Sequence, residues 1–340
     1  MARPYETRNH MGLLQYARTA NYKRFYGDLK EISKKNHKPA WLMFADAGIC
    51  FLKYRSGLQD YLNFKFYEKS AAERATYVTT GDEYYAYQYL AGIEYAEFFS
   101  DKINFHKNFA KYAKREYCAP DDGLEAFEAF CERHPSFVKK PRFGLGGGGV
   151  VKVDAADIAD KAAYLEQMRA NDEFVEELVV QDPRWEALSP STNTLRVMTF
   201  AHNDQSRVVM AVARVGSGAS IMDNFHQGGM GVLIDMDRGC LVGNGFDKKV
   251  NESPTSVTGV VFDGYPIPYW DEVKEMVCEA ALVNQGVNLI GWDVALSVDG
   301  PLIIEANRGP GWDVTQVPAK HGQKALLNEM LREVGAPERP

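Results

Sequence analysis

Apolar residues change their period along this chain. Through the first hundred positions they recur mainly at helical spacing, and strand-like runs of Val and Ile are nearly absent. The longest apolar stretch there, 40–54, is interrupted by Asp46 and Lys53. A membrane span needs roughly 20 apolar residues, so this stretch reads as a buried segment rather than an anchor. Beyond Ser100 the pattern is mixed. Helices are predicted over 101–117, 125–134, from Asp154 onward, over 269–284, and over 322–334, the last closed by Gly335 and a Pro-containing tail. Strands are predicted at 137–141, 150–153, 174–181, 194–201, 207–215, 232–235, 289–297 and 302–307. No repeat of 20–50 residues is present, which excludes a solenoid, and the echo of Gly-Trp-Asp-Val at 291 and 311 is local.

Composition narrows this picture. A length of 340 residues suggests two or three packed units. With 45% hydrophobic and 25% charged residues, wholesale disorder, collagen and long coiled coils are excluded. The expected division is an aromatic-rich helical domain over 1–100, then 101–181 and 182–340. The first hundred residues hold 21 of the 41 aromatics, which fits a helical core better than a face stacking on sugars or bases. The formal charge of −7 argues against a nucleic-acid coat. The opening MARPYETRNH lacks the charged-then-apolar pattern of a signal peptide, so the cytoplasm is the expected compartment. Five scattered cysteines, never in CxxC spacing, read as reduced thiols.

Candidate chemistry concentrates in three places. Gly144 and Gly146, Gly147, Gly148 and Gly149 fit neither GxGxxG nor a Walker loop, and the residues after them alternate like a strand. Strand, glycine loop, strand is a flap hinged on a hairpin, where backbone N–H groups can approach a phosphate chain. Lys140 stands just before it on a segment held extended by Pro141, with Lys139 on the opposite face. Lys102 adds a second cation at a helix start, with Ser100 as a capping residue. Near the other end, Glu305 and Asn307 share one strand face, and a hairpin at Asp299-Gly300 would bring Asp293 beside them. Such a hard oxygen set suits Mg2+, and burying it without a cation would be costly. Arg308 follows directly. Arg196, a lone cation in a strand, calls for a phosphate or carboxylate, or a plain salt bridge. A polar loop at 223–229, with Asn224, His226, Gly228 and Gly229, is suited to closing on a ligand. No nucleophile with its base stands out.

Taken together, these residues resemble the ATP-grasp superfamily, most closely its sugar-transfer-associated branch, over about 100–315. The resemblance implies an α+β fold in which two α+β subdomains clasp ATP; the family's usual amino-terminal domain is a small α/β unit, whereas the residues of this one read as mainly helical, a departure from the family. By matching position, Lys102 and Lys140 would hold the α- and β-phosphates and the flap would cover the β/γ end. Glu177 would approach the adenine amino group, Leu178 and Val180 would complete base recognition, and Gln181 or Asp182 would reach the ribose. The hinge register is open by one, because Glu176 and Glu177 are adjacent. Asp293, Glu305 and Asn307 would hold one or two Mg2+, with Arg196 and Arg308 stabilising the transferring phosphoryl group. The implied activity is ATP-dependent joining of a small-molecule carboxylate to an amine through an acyl phosphate, on a cell-surface sugar or amino-acid precursor. A kinase on the same ATP site and a non-catalytic nucleotide-binding protein are the alternatives. From charge and apolar run length, neither a nucleic-acid partner nor a membrane span is expected.

Overall fold

Helical spacing at the front of the chain does build helices. The computed structural model describes residues 13–144, 148–218 and 229–338, and its chain divides into two compact units. The first unit is Met1–Ile93 together with Gly311–Pro340. Its longer helices are Tyr22–Asn36, Ala40–Tyr54 and Thr80–Leu90, joined by the carboxy-terminal Asp313–Ala319 and Lys324–Glu333. Aromatic rings fill the interior, with Phe64 and Tyr77 centroids 4.8 Å apart and Phe25 edge-on to Tyr61 at 6.2 Å. Arg74 closes a bidentate pair on Asp46, both contacts at 2.8 Å. The carboxy-terminal segment is bound into this unit by Gln316, which accepts from the Val78 N–H (2.8 Å) and donates to its carbonyl (2.9 Å). The sequence assigns residues 311–340 to the carboxy-terminal subdomain instead, because nothing local in them marks so distant a partner.

One expectation fails here. The stretch Ala40–Tyr54 is a helix, and it buries Met43, Ala47 and Cys50 on one side only. Trp41, Leu42, Ile49 and Leu52 are exposed.

The second unit, Glu94–Pro310, contains two antiparallel sheets. The smaller has the order β1-β4-β2-β3, with β1 Tyr117–Cys118, β2 Ser136–Pro141, β3 Val151–Asp154 and β4 Glu173–Glu177. Side chains alternate across it. Phe137 and Val175 face the helices Leu124–Arg133 and Lys161–Ala170 in one core with Phe127, Phe130, Leu165 and Met168. Lys140, paired opposite Phe174, and Glu176 share the other face. β2 and β3 are neighbours, Lys139 opposite Val151, so the glycine segment does connect two hairpin strands. Gly149 has φ +78, and a Cβ there would lie 2.9 Å from the Pro141 ring, so both conformation and space select glycine.

The larger sheet runs β11-β10-β5-β6-β7-β8-β9. Its strands are β5 Thr194–His202, β6 Gln205–Val215, β7 Met230–Asp235, β8 Cys240–Phe246, β9 Glu252–Ser253, β10 Leu289–Ser297 and β11 Gly300–Asn307. The helix Trp270–Ala281 covers β5 and β6 through Val273, Val277, Ala280 and Ala281. β10 and β11 form the expected hairpin, but Ser297 pairs with Gly300, so the turn is Val298-Asp299 and Gly300, at φ +97, begins β11. The helix that starts at Lys102 is capped by Asp101 rather than Ser100. The Asp101 carboxylate accepts from the Ile103 N–H at 3.0 Å and binds Arg142 as well.

Candidate active site

Glu176 is the centre of a buried charge cluster on the small sheet. Lys140 Nζ lies 2.6 Å from its Oε1, His106 Nε2 lies 2.8 Å from its Oε2, and Arg115 Nη2 is 3.5 Å from the same oxygen. Burial alone would raise the Glu176 carboxyl; the Arg115 and Lys140 cations, with the His106 hydrogen bond, hold it well below the usual range. Burial acts on Lys140 in the opposite sense and brings it down to about 8, against the attraction of Glu176 and with the Arg115 charge adding to the fall. His106 is lowered too, first by burial, so it is neutral near pH 7. Arg115 also reaches the carbonyls of Ile303 (3.5 Å) and Ile304 (3.4 Å) on β11, linking the two sheets. Its buried Nε and Nη1 have no hydrogen-bond partner among the described residues.

A second cluster sits where β5, β10 and β11 run side by side. Asp293 is opposite Arg196 on one neighbour and opposite Glu305 on the other. Arg196 grips Asp293 through Nε–Oδ1 at 2.5 Å and Nη2–Oδ2 at 3.1 Å, and donates from Nη1 to the Pro310 carbonyl at 2.9 Å. Arg214 on β6 adds Nη1–Oδ2 at 2.8 Å. Arg196 thus has a carboxylate partner in Asp293. Burial pushes Asp293 upward, but Arg196 and Arg214 outweigh it and hold it ionised. Glu305 is raised, first by burial and next by the Asp293 charge. Asn307 donates from Nδ2 to Glu305 Oε1 at 3.3 Å. Asp293 and Glu305, hydrogen-bonded to each other, form with the Asn307 amide a hard oxygen set of the kind Mg2+ takes, so the residues present fit that ion.

Lys102 connects the clusters. Its Nζ donates to the Gly144 carbonyl at 2.9 Å, at the start of the glycine segment. Burial lowers it, while the charges of Glu305 and Glu176 act to keep it protonated. One ammonium thus senses both carboxylate centres.

The remaining candidates are placed as follows. Glu177 points away from the Lys140 face and accepts from the Glu116 N–H at 3.2 Å. Leu178 is partly buried and Val180 exposed, and the Val180 carbonyl accepts from the Val298 N–H at 3.1 Å. Gln181 is buried as a frame, donating to the Ser191 carbonyl (2.8 Å) and accepting from the Asn193 N–H (2.7 Å). Asp182 caps the short helix after it and binds Arg184. Arg308 is partly buried beyond β11. Gly148 and Gly149 form the turn before β3, and Gly229 is buried just before β7. Gly146, Gly147, Asn224, His226 and Gly228 lie outside the described residues. Sequence reasoning missed Glu176 as the hub, and with it His106, Arg115 and Arg214. Alternation along β4 would have picked Glu176, which shares its face with the partner of Lys140, and the argument made for Arg196 applies equally to Arg214.

Lys140 beside a glycine hairpin on one antiparallel sheet, Lys102 at the start of a helix, and a carboxylate pair on a second sheet accord with the ATP-grasp class of fold. The chain belongs to the sugar-transfer associated ATP-grasp family, which matches residues 96–332. ATP-grasp ligases use ATP and Mg2+. No curated protein matches the sequence. Among solved structures the chain is similar to the ATP-grasp ligase PsnB complexed with minimal precursor, at 16% identity over 71% of this chain and 62% of that one, with a TM-score of 0.43. It is also similar to the D-cycloserine synthetase DcsG, at 14% identity over 81% and 82%, with a TM-score of 0.42. D-alanyl-alanine synthetase A from Vibrio cholerae O1 biovar eltor aligns at 12% identity over 70% and 66%, with a TM-score of 0.42. The chain spans less than two thirds of the PsnB length.

Proposed function

We propose that this protein is an ATP- and Mg2+-dependent ligase that joins a carboxylate to an amine through an acyl phosphate, acting on a cell-surface sugar or amino-acid precursor. The observation that carries the reading is Lys102, which touches the glycine segment and lies within electrostatic reach of both Glu176 and Glu305. Phosphoryl transfer asks for alignment and charge compensation and little covalent participation from the protein. A site of lysines, arginines and oxygen donors meets that demand.

In this reading Lys102 and Lys140 hold the phosphates, and Glu176 keeps Lys140 charged against its burial. The adenine lies along Glu177, Leu178 and Val180, with Gln181 acting through the frame it builds with Ser191 and Asn193. Asp293, Glu305 and Asn307 would hold Mg2+, which supplies neutralisation of charge on the phosphate oxygens. Arg196 and Arg214 keep Asp293 ionised and oriented, and Arg196 with Arg308 compensates charge on the transferring group. A carboxylate oxygen of the acid bonds to the γ-phosphorus as the bond to the β–γ bridging oxygen breaks, giving acyl phosphate and ADP. The amine nitrogen then bonds to the acyl carbon, phosphate leaves with the C–O electron pair, and the nitrogen gives up its proton. The glycine segment that ends in the Gly148-Gly149 turn excludes water from the acyl phosphate.

Incubation with ATP, candidate carboxylates and hydroxylamine tests this. Hydroxamate with stoichiometric ADP is the expected result. A stable phosphorylated product without free phosphate would make the protein a kinase instead. Glu305→Gln should abolish ADP formation and leave the fold intact; full activity in that variant would remove the metal assignment.

A further inference from the structure

The helix Ala40–Tyr54 uses only half of its apolar surface to pack. Met43, Ala47 and Cys50, at i, i+4 and i+7, point inward. On the other side Trp41 is 63% exposed, Leu42 46%, Ile49 58% and Leu52 81%. Positions 41, 45, 49 and 52 follow one another along a single helix face, and Ala45 and Gly48, between the large side chains, are exposed too. A contiguous apolar strip of this kind on a surface marks a partner. What surrounds it indicates which one. The helix Tyr22–Asn36 packs alongside, with Tyr22, Phe25 and Tyr26 gathered on the Phe44 ring. Its exposed positions include Lys23, Arg24, Lys30, Lys34 and Lys35, outnumbering Asp28 and Glu31 among them, with Glu31 2.7 Å from Lys34 Nζ. Residues 22–55 carry eight Lys/Arg against three Asp/Glu, within a chain of formal charge −7.

We propose that this helical pair docks on an anionic membrane surface. Trp41, Leu42, Ile49 and Leu52 enter the boundary between headgroups and acyl chains, and the flanking lysines, with Lys53, meet the headgroup phosphates. Apolar residues including Trp on one side and a lysine-rich neighbour are the composition of an interfacial helix. A second copy of the chain is the poorer occupant, because pairing two such helices brings like charges together, whereas anionic headgroups neutralise them. Spanning is excluded by length: a helix of 15 residues falls short of the hydrocarbon core, and no helix among the described residues is long and apolar enough to cross. This inference stands apart from the proposed ligase activity.

The protein carries its own reporter. Of five tryptophans, Trp185, Trp270, Trp292 and Trp312 are at most 6% exposed, so a shift of emission on adding vesicles reports Trp41. The full chain is mixed with vesicles of phosphatidylcholine, with and without phosphatidylglycerol, at low and high salt. Blue-shifted emission and co-sedimentation are expected with phosphatidylglycerol vesicles, weakened about ten-fold or more by pure phosphatidylcholine or high salt. Ile49→Asp with Leu52→Asp should abolish binding, and Lys23→Glu, Lys30→Glu and Lys34→Glu together should abolish the lipid-charge dependence. All these positions are exposed, so thermal melting and ATP affinity should stay at wild-type values. Unchanged emission with the chain left in the supernatant overturns the proposal, as does wild-type vesicle binding by the Ile49→Asp, Leu52→Asp variant. A stable dimer that buries Trp41 and ignores vesicles overturns it in favour of a second copy.

Discussion

Replacing Glu176 by Gln keeps the shape of the hub and removes its charge. The carboxylate is 6% exposed and faces Lys140, Arg115 and His106 at 2.6, 3.5 and 2.8 Å. Deleting one partner of a buried ion pair leaves the others uncompensated, at a cost of roughly 3–5 kcal/mol. Lys140 already titrates at about 8 with Glu176 beside it, and losing that attraction moves it further down. The amine then loses its proton at lower pH than in the wild type, and where it is neutral a charge-assisted hydrogen bond of about 1.5–3 kcal/mol to phosphate is lost, roughly 10–100-fold in kcat/KM for ATP. The assay is ADP release against pH, which for kcat/KM reads groups of the free enzyme. In the wild type kcat/KM falls as pH rises through about 8, as Lys140 loses its proton; in Glu176→Gln the fall begins at lower pH. Unfolding adds an independent check. The folded Glu176 lies below its unfolded value of about 4.3, so its contribution is full above that value and is lost as pH falls toward the folded one. Glu176→Gln should flatten this acid limb. Identical pH–rate profiles in the two proteins, with equal stability, would refute the hub.

Lys102→Ala should weaken binding of a non-hydrolysable ATP analogue about 10–100-fold by calorimetry, as expected for a lost phosphate contact; unchanged affinity would remove Lys102 from the site. Gly291→Ala would set a Cβ 2.6 Å from Pro310 Cβ and 3.1 Å from Arg196 Cδ. It should lower kcat about ten-fold by displacing Arg196, with a stability loss of only about 1–3 kcal/mol in thermal melts. Glu83, whose Oε1 accepts from the Trp312 N–H at 2.9 Å, is raised to about 8 by burial and then by Asp313. Its contribution is full below about 4.3 and is lost as pH rises through about 8, because the unfolded chain releases the proton first. Because the residue is only partly buried, Glu83→Gln should gain about 2 kcal/mol over wild type at pH 8.5 and almost nothing at pH 5, read as the difference in melting temperature.

What the sequence disclosed depended on how local the signal was. β10 and β11 were legible because nine consecutive buried residues in β10 leave an uninterrupted apolar run around Asp293, and two residues on one strand face must stay together. The glycine hairpin was legible because alternation resumes after Gly149. β8 was not: Gly243 and Gly245 interrupt its pattern, and only pairing with β7 makes it a strand. Arg115 lies between a four-residue helix and a two-residue strand, where no period exists, and its partners are 61 and about 190 positions away. His106 has the same problem on a seven-residue helix. Buried ionic contacts between distant segments leave no periodic trace; only the adjacent Glu176 and Glu177 hinted at a choice of face.

The return of Gly311–Pro340 to the first unit has a consequence for biosynthesis. Tyr77 and Val78 leave the ribosome more than two hundred residues before Lys320 and Gln316, which receive the Tyr77 hydroxyl and bracket the Val78 amide. A nascent chain therefore holds an unfinished helical layer, with apolar side chains uncovered, while Glu94–Pro310 is being made and can already fold. The first unit is therefore completed only after the second has been synthesised.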